Sequence, residues 1–505
     1  MEPILVKQAT AFDVAILSID PTQAVSLYAQ LYTTLRDAIL AGQISSGARL
    51  PSTRDLARSL SVSRNTVTSA FDQLVAEGYL ESRVGDGTYV SSALPDDLLH
   101  ARTPRTSIFT QRGPTATLVS KRHHSIAATP MGNVQAEGTP PRAFRTGVPA
   151  LDAFPHDVWA RLVARRWRNP PPELLTYGDA AGYGPLRQAV AQYLGTARGV
   201  HCTAEQVLIT AGSQHALDLI AHVLLDPGDP VWIEDPGYRG ARAALLGAGA
   251  KLVPVPVDAE GLSVVAGIRA QPHGRMAYIT PSHQYPTGVT MSASRRLALL
   301  EWAHSASAWI LEDDYDSEYR YHGRPLPALQ GIDVQGSQNR VLYTGTFSKV
   351  LFPGLRLGYL VAPLSLTAVF AQALQRGHRY LSAMDQAVLA DFINEGHFAR
   401  HIRRMRTLYA SRQAVLIDAI AQELASTLTV DPAPAGLHLV GWLKNGLDDE
   451  IIAAAAAQQG VEVMPISSYS LWPETRQGLV LGYAMLNEQE IVTGVQRLHR
   501  ALASM

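Results

Sequence analysis

The sequence predicts a multi-domain chain: a small, mainly helical N-terminal domain closed by a β-hairpin, then a linker, then a large α/β domain carrying a small α+β subdomain. Three observations carry this expectation. The 505 residues exceed what one hydrophobic core usually organises. Apolar residues recur at helical spacing from Val25 to about Glu81 and then give way to short strands broken by glycine. Beyond Phe144, short apolar strands alternate with helical segments, the rhythm of a mostly parallel sheet covered by helices.

The first domain is expected over residues 25–91, after a tail of residues 1–24. Leu27, Leu31, Leu35, Ile39 and Leu40 form one stripe, which Gly42 and Gly47 interrupt. A second helix fits Ser52 to Leu60, with Ser52 as its cap and Leu56, Ala57 and Leu60 facing inward. A third fits Ser63 to Glu77 and carries Val67, Ala70, Phe71 and Leu74. Leu80 to Val90 reads as a hairpin around Val84-Gly85-Asp86-Gly87. Residues 92–143 are rich in Pro, Thr, Ser, Ala and Arg without a sustained period, which predicts a solvated linker.

Residues 144–505 make the α/β domain. Strands are expected at Val207 to Thr210, Val231 to Glu234, Met276 to Thr280, Trp309 to Leu311, Val341 to Tyr343 and Leu357 to Val361. After Pro363 the pattern turns helical. It returns to strands near Leu437 to Trp442, Val461 to Met464 and Leu479 to Tyr483, so the small subdomain is expected over residues 365–505.

Composition narrows the function classes. An apolar fraction of 47% with 17% charged residues fits packed globular material rather than a disordered chain. No apolar run reaches the roughly 20 residues that span a bilayer, and the first 20 residues lack a signal-peptide layout, so a cytoplasmic protein is expected. The single cysteine, Cys202, excludes an internal disulfide. A net charge of −1 excludes a globally basic, DNA-coating protein but leaves room for a local basic face. No residue set is expected to bind a metal.

A helix, a short turn and a second helix that opens with Ser63, Arg64, Asn65 and Thr66 is the layout that places side chains on base edges in a major groove. Arg reads guanine and Asn reads adenine bidentately. Arg49, Arg54 and Arg58 approach from the preceding loop and helix, where phosphate contact is the natural role. Between Val25 and Val90 six arginines meet six acids, so charge alone leaves a small helical interaction domain as the alternative. The strings Arg49-Leu50-Pro51-Ser52-Thr53-Arg54-Asp55-Leu56-Ala57, Val62-Ser63-Arg64-Asn65-Thr66-Val67, Glu77-Gly78-Tyr79-Leu80 and Gly85-Asp86-Gly87-Thr88-Tyr89-Val90 go further. They resemble the winged helix-turn-helix of GntR-type regulators almost residue for residue. The resemblance implies that Arg54 and Arg64 bind double-stranded DNA, with Ser52, Thr66, Thr68 and Gly85 as lesser contacts.

Only five lysines occur: Lys7, Lys121, Lys251, Lys349 and Lys444. A lysine that forms a Schiff base with an aldehyde cofactor must be desolvated and held against the ring. Lys349 suits that role best, because Thr346 and Ser348 supply hydroxyls beside it and Arg356 follows to neutralise a phosphate. Asp313, at the end of another strand, is placed to pair with a pyridinium nitrogen, and Tyr315 to bind the ring's phenolic oxygen. Gly212, Ser213 and Gln214 follow a strand and open a helix, which offers N–H groups to phosphate. Tyr238, after the next strand, is placed to stack on the ring.

This order of phosphate loop, aromatic, acid and lysine, each just after a strand, resembles fold-type I aminotransferases and implies pyridoxal 5'-phosphate as cofactor. The string Thr280-Pro281-Ser282-His283-Gln284-Tyr285-Pro286-Thr287-Gly288 sharpens the resemblance. Such enzymes usually have asparagine where Tyr285 stands, which leaves His283 as a candidate for the phenolic oxygen. A carboxylate-binding arginine is also usual near the C-terminal strand, yet Gly478 to Tyr483 offers none; Arg476, Tyr177 and Tyr183 are the candidates for an effector pocket. A GntR-type head joined to such a body resembles the MocR subfamily, which implies a homodimer with the head of one subunit over the body of the other. The expected function is transcription regulation by pyridoxal phosphate, or by an amine or amino acid forming an external aldimine. A working aminotransferase with a regulatory head is the alternative.

Overall fold

Three serines start the three helices of the N-terminal unit. The Ser26 hydroxyl accepts from the Ala29 N–H ahead of α1 (Leu27–Leu40), Ser52 from Asp55 ahead of α2 (Thr53–Ser59), and Ser63 from Thr66 ahead of α3 (Arg64–Ala76). The computed structural model describes residues 17, 19–83, 85–94, 142–321, 323, 326–335, 339–377, 380–472 and 476–503. It forms two units, Met1–Ala116 and Thr117–Met505. Most of the expected tail and linker, and Val84 in the hairpin, lie outside the described residues.

In the first unit Leu31, Leu35 and Ile39 from α1 share one core with Leu56, Ala57, Val67, Ala70, Phe71 and Leu74. Leu80 and Val90 add the hairpin, β1 (Leu80–Arg83) and β2 (Gly87–Val90), whose antiparallel register pairs Leu80 with Val90. Leu40 departs from the expected stripe and is 43% exposed. It follows Ile39 directly, so the helix turns it about 100° off the buried face. Because Ser63 holds the first turn of α3, Ser63→Ala is expected to cost about 1 kcal/mol. Amide exchange in α3 should then run about fivefold faster.

The second unit is built on a sheet of β3 (Val207–Thr210), β4 (Pro230–Asp235), β5 (Lys251–Asp258), β6 (Gly261–Leu262), β7 (Met276–Ile279), β8 (Trp309–Asp314), β9 (Val341–Thr346) and β10 (Gly358–Val361). Its order is β3-β10-β9-β8-β7-β4-β5-β6. Adjacent strands from β5 to β9 run parallel, and β10 runs antiparallel to both β9 and β3. Helices α4 (Ser213–Leu224), α5 (Arg239–Ala248) and α6 (Leu364–Gly377) bury Leu217, Ile220, Leu245, Phe370 and Leu374 against Leu208, Ile233, Leu311 and Leu342 of the sheet. On the opposite face the Trp232 and Trp302 rings stack with centroids 3.7 Å apart. Strand β5 is not among the expected strands; its Pro254 and Pro256 lack donors, and since β6 pairs only with Val257 and Asp258, one side of β5 is an open edge at both prolines.

A long helix, α7 (His397–Glu423), leads to a second, four-stranded antiparallel sheet: β11 (Leu428–Val430), β12 (His438–Leu443), β13 (Met464–Pro465) and β14 (Gly478–Gly482). The start of the unit is tied to this smaller sheet. Phe144 O accepts from Gly482 N–H at 2.9 Å, Ala143 O from Glu462 N–H at 2.8 Å, and the Arg145 guanidinium pairs with the Glu462 carboxylate. Gly147, two residues on, is thereby fixed where the site needs it. Among the described residues no helix is long and apolar enough to cross a membrane.

Candidate functional site

Strand period places three consecutive acids of β8 in different environments. Glu312 and Asp314 share one face. Glu312 accepts from the Leu329 and Gln330 N–H groups, while Asp314 pairs with Arg198 at 2.8 Å and accepts from the Tyr343 hydroxyl at 2.6 Å. Asp313 faces the other way. Its Oδ2 accepts from the buried Tyr278 hydroxyl at 2.9 Å, and its Oδ1 has no hydrogen-bond partner among the described residues. Burial pushes this carboxyl up to about 7, against the Tyr278 hydrogen bond and with added repulsion from Asp314 and Asp316.

Lys349 lies just beyond β9, at the same end of the sheet. Its Nζ donates to Gly147 O at 2.8 Å. Gly147 has φ +76°, and a Cβ there would stand 2.5 Å from Nζ, so glycine lets the backbone approach the amine. Burial lowers the ammonium below the usual lysine range, opposed by the charges of Asp316 and Asp313. The turn before it uses Thr346 Oγ1 to accept from Ser348 N–H at 3.1 Å, and the Ser348 hydroxyl has no partner among the described residues. Arg356 adopts φ +49°, a conformation that costs a side chain about 1 to 3 kcal/mol. Its Nη2 donates to Ala211 O at 3.0 Å.

Ala211 leads into the start of α4, so Arg356 sits beside Gly212, Ser213 and Gln214 and their first-turn N–H groups. Gln214 donates to Gly240 O at 2.9 Å and accepts from Tyr238 OH at 3.3 Å, which joins the helix start to the aromatic wall. Tyr285 lies in edge contact with both Tyr238 and Tyr315, with centroids 5.7 Å apart in each case. The turn that carries Tyr285 is anchored by Glu234, which accepts from Thr280 N–H, Thr280 OH and Gln284 Nε2.

The sequence leaves His283 as a candidate for the ring's phenolic oxygen; in the structure its Nδ1 meets the Asp316 carboxylate and the Tyr315 hydroxyl, and its Nε2 has no partner among the described residues. Asp316 and Gly147 are the residues that sequence reading did not single out. Asp316 follows three acids in one run, which hid its separate direction. Ligating atoms of His283, Asp316 and His438 lie within 4.8 Å of one another. These groups already hydrogen-bond: His283 with Asp316, and His438 with Pro286 O at 3.0 Å. The His283 and His438 rings lie 5.0 Å apart, centroid to centroid. Burial and the neighbouring His283 push His438 down to about 3.

The three effector candidates are not gathered here. Tyr177 is 81% exposed, its ring 5.3 Å from that of Tyr380. Tyr183 begins the helix Gly184–Arg198 and packs against Leu174, Met384 and Ala387. Arg476 stacks on Trp442 at 4.3 Å and lines a cleft of about 1070 Å³ with Val257, Val440 and Trp472, whose wall also includes Gly288 and His438. Val480, on the C-terminal strand, packs with Tyr285 and Tyr469 in a small apolar cluster.

In the first unit Arg54, Arg64 and Asn65 are exposed, and Arg64 Nε reaches Thr53 Oγ1 at 3.4 Å, so the starts of α2 and α3 are adjacent. Thr66 and Thr68 are half-buried; Ser52 is tied to Asp55, and Thr66 to Ser63. Arg49 lies against the hairpin, bridged to Tyr89 and close to Gly87, while Gly85 is exposed at the hairpin tip.

Residues 27–90 match the family of bacterial regulatory proteins of the gntR type, and residues 147–498 match aminotransferase class I and II. The chain is 44% identical over 489 residues to the probable rhizopine catabolism regulatory protein MocR of Rhizobium meliloti, covering 97% of this chain and 96% of that one. This chain belongs to the MocR-type transcriptional regulators. Another regulator of this type, the pyridoxine biosynthesis regulator PdxR of Corynebacterium glutamicum, is 31% identical over 94% of this chain and 96% of its own. The body of this MocR-type regulator is similar to the crystal structure of LysN, the α-aminoadipate aminotransferase of Thermus thermophilus complexed with N-(5'-phosphopyridoxyl)-L-leucine. That likeness has a TM-score of 0.67 and 32% identity, over 72% of this chain and 92% of that one.

Proposed function

We propose that this MocR-type regulator holds pyridoxal 5'-phosphate on Lys349, and that loading of this site, by the cofactor alone or with an amine, changes the affinity of its GntR-type head for operator DNA. The observation that carries the reading is the buried Oδ1 of Asp313, without a hydrogen-bond partner among the described residues, at the same end of the sheet as the Lys349 amine. A protonated pyridine nitrogen is the donor that oxygen lacks. The Ser348 hydroxyl, Arg356 and the start of α4 suit a phosphate, which completes the fit.

When bound, the cofactor supplies an aldehyde that condenses reversibly with a primary amine and a ring that withdraws electrons. The chain's own residues do the rest. Asp313 holds the proton on the ring nitrogen. Tyr238 covers the ring and Tyr315 donates to its phenolic oxygen. Lys349 presents an amine whose burial favours the neutral, nucleophilic form, with Gly147 O as its hydrogen-bond acceptor. We further propose a homodimer; Leu151, Trp167, Leu175 and Tyr177 are exposed apolar side chains of the body that a second copy would cover.

The names of the MocR and PdxR relatives, one for rhizopine catabolism and one for pyridoxine biosynthesis, support small-molecule control. Turnover as an aminotransferase is the second reading, favoured by the presence of Lys349, Asp313 and Tyr315 together. Absorbance of the full chain loaded with pyridoxal phosphate and offered a panel of amines and amino acids separates the two. A regulator's spectrum shifts to a stable new form; steady release of keto acid establishes the enzyme instead. At the head, Arg64→Ala is expected to weaken specific binding by about 1 to 3 kcal/mol. An equal loss on every DNA sequence would assign Arg64 to a phosphate.

A further inference from the structure

The residue after Tyr315 and the turn after β7 meet in a buried hydrogen-bonded chain. Asp316 Oδ1 and Oδ2 lie 3.1 and 3.0 Å from His283 Nδ1, and the Tyr315 hydroxyl lies 3.0 Å from the same nitrogen. Asp316 is 1% exposed and His283 is 3% exposed. The imidazole is clamped from behind: a Cβ on Gly436, which has φ +102°, would stand 2.0 Å from His283 Cε1. On the Nε2 side a Cβ on Gly288 would stand at 3.3 Å, and Nε2 itself has no partner among the described residues.

A carboxylate only accepts, so the proton of this imidazole belongs on Nδ1, shared between Asp316 and the Tyr315 oxygen. The Tyr315 oxygen is then an acceptor toward His283, and its own hydrogen is turned away from the imidazole. We infer that Asp316 and His283 are positioning residues that aim the Tyr315 hydroxyl proton at the phenolic oxygen of the cofactor and so set the pH at which the bound chromophore titrates. This rests on the proposed loading of Lys349.

Loss of that donation makes the phenolic oxygen more basic, so a proton shared with the neighbouring nitrogen is held to higher pH. Loss of a nearby negative charge acts in the opposite direction. Lys349 also faces the charges of Asp313, Asp316 and Arg356, and it acts on His438. A through-space effect of Asp316 would therefore be the same whether or not Tyr315 has its hydroxyl.

The test is a pH titration of the visible absorbance of the full chain loaded with pyridoxal phosphate, in native, Asp316→Asn, Tyr315→Phe and doubly substituted forms. Tyr315→Phe should raise the midpoint by about one pH unit. The shift caused by Asp316→Asn should be about one unit more positive with Tyr315 present than in the Tyr315→Phe background. Equal shifts in the two backgrounds overturn the inference. If Asp316→Asn does not fold, His283→Gln in the same two backgrounds gives the same comparison. A native protein with no visible band to titrate refutes the loading of Lys349 instead.

Discussion

Lys349→Ala abolishes the visible band of the cofactor and any attachment that borohydride can fix, while the body stays folded. The effect is all or none because no other described lysine is placed to replace it. Lys444 Nζ donates to Ala425 O at 2.7 Å on an exposed surface, and Lys251 is exposed at the start of β5. Stability should change little. Gly147 O loses its donor, which costs about 1 kcal/mol, and the burial of an ammonium is relieved in return. Mass spectrometry after reduction and a thermal melt check both halves. A reducible adduct surviving in the variant would assign the amine to another residue.

Asp313→Ala is expected to weaken cofactor binding by about 2 to 5 kcal/mol, since it leaves a buried protonated ring nitrogen without its partner. The same carboxyl gives the empty body a distinctive pH dependence. Its folded value of about 7 lies above the ordinary 3.8. Between those values the folded chain holds a proton that the unfolded chain has lost, so stability is greatest below the lower value and falls as pH rises to about 7. Glu234, also raised to about 7 by burial, adds in the same sense. Asp313→Ala should flatten the slope, and loading the native body should flatten it too, because the ring's proton makes the ionised carboxylate favourable. Urea denaturation between pH 4 and pH 8, with and without cofactor, measures this. An unchanged slope together with unchanged affinity would remove Asp313 from the site.

The strand-by-strand order of the body was legible because each motif follows an apolar run, and open α/β sheets gather such ends at one edge. That logic locates Gly212, Tyr238, Asp313 and Lys349 without a structure. It fails for contacts made across the chain. Gly147 reaches Lys349 only because Ala143 and Phe144 pair with the small sheet, more than three hundred residues away in sequence. Asp316 and His283 meet for a similar reason, from separate turns. Tyr177 and Tyr183 are likewise placed by contacts distant in sequence: Tyr183 precedes the helix Gly184–Arg198 and packs on Met384, and Tyr177 is exposed with its ring beside Tyr380. In the head, the start of the second helix is legible from Ser52 as its cap, whereas Leu40 shows that a stripe drawn one residue too wide includes a solvent-facing position.

The central claim is that loading of the Lys349 site is felt by the DNA-binding head. Binding of the full chain to the upstream region of its own gene, measured at fixed salt with and without pyridoxal phosphate and the amine panel, tests it most directly. A coupling of about 1 to 3 kcal/mol predicts an affinity change of roughly 5- to 150-fold, absent from Lys349→Ala. Identical affinity under every cofactor and amine condition, in protein whose absorbance proves it loaded, would contradict the account.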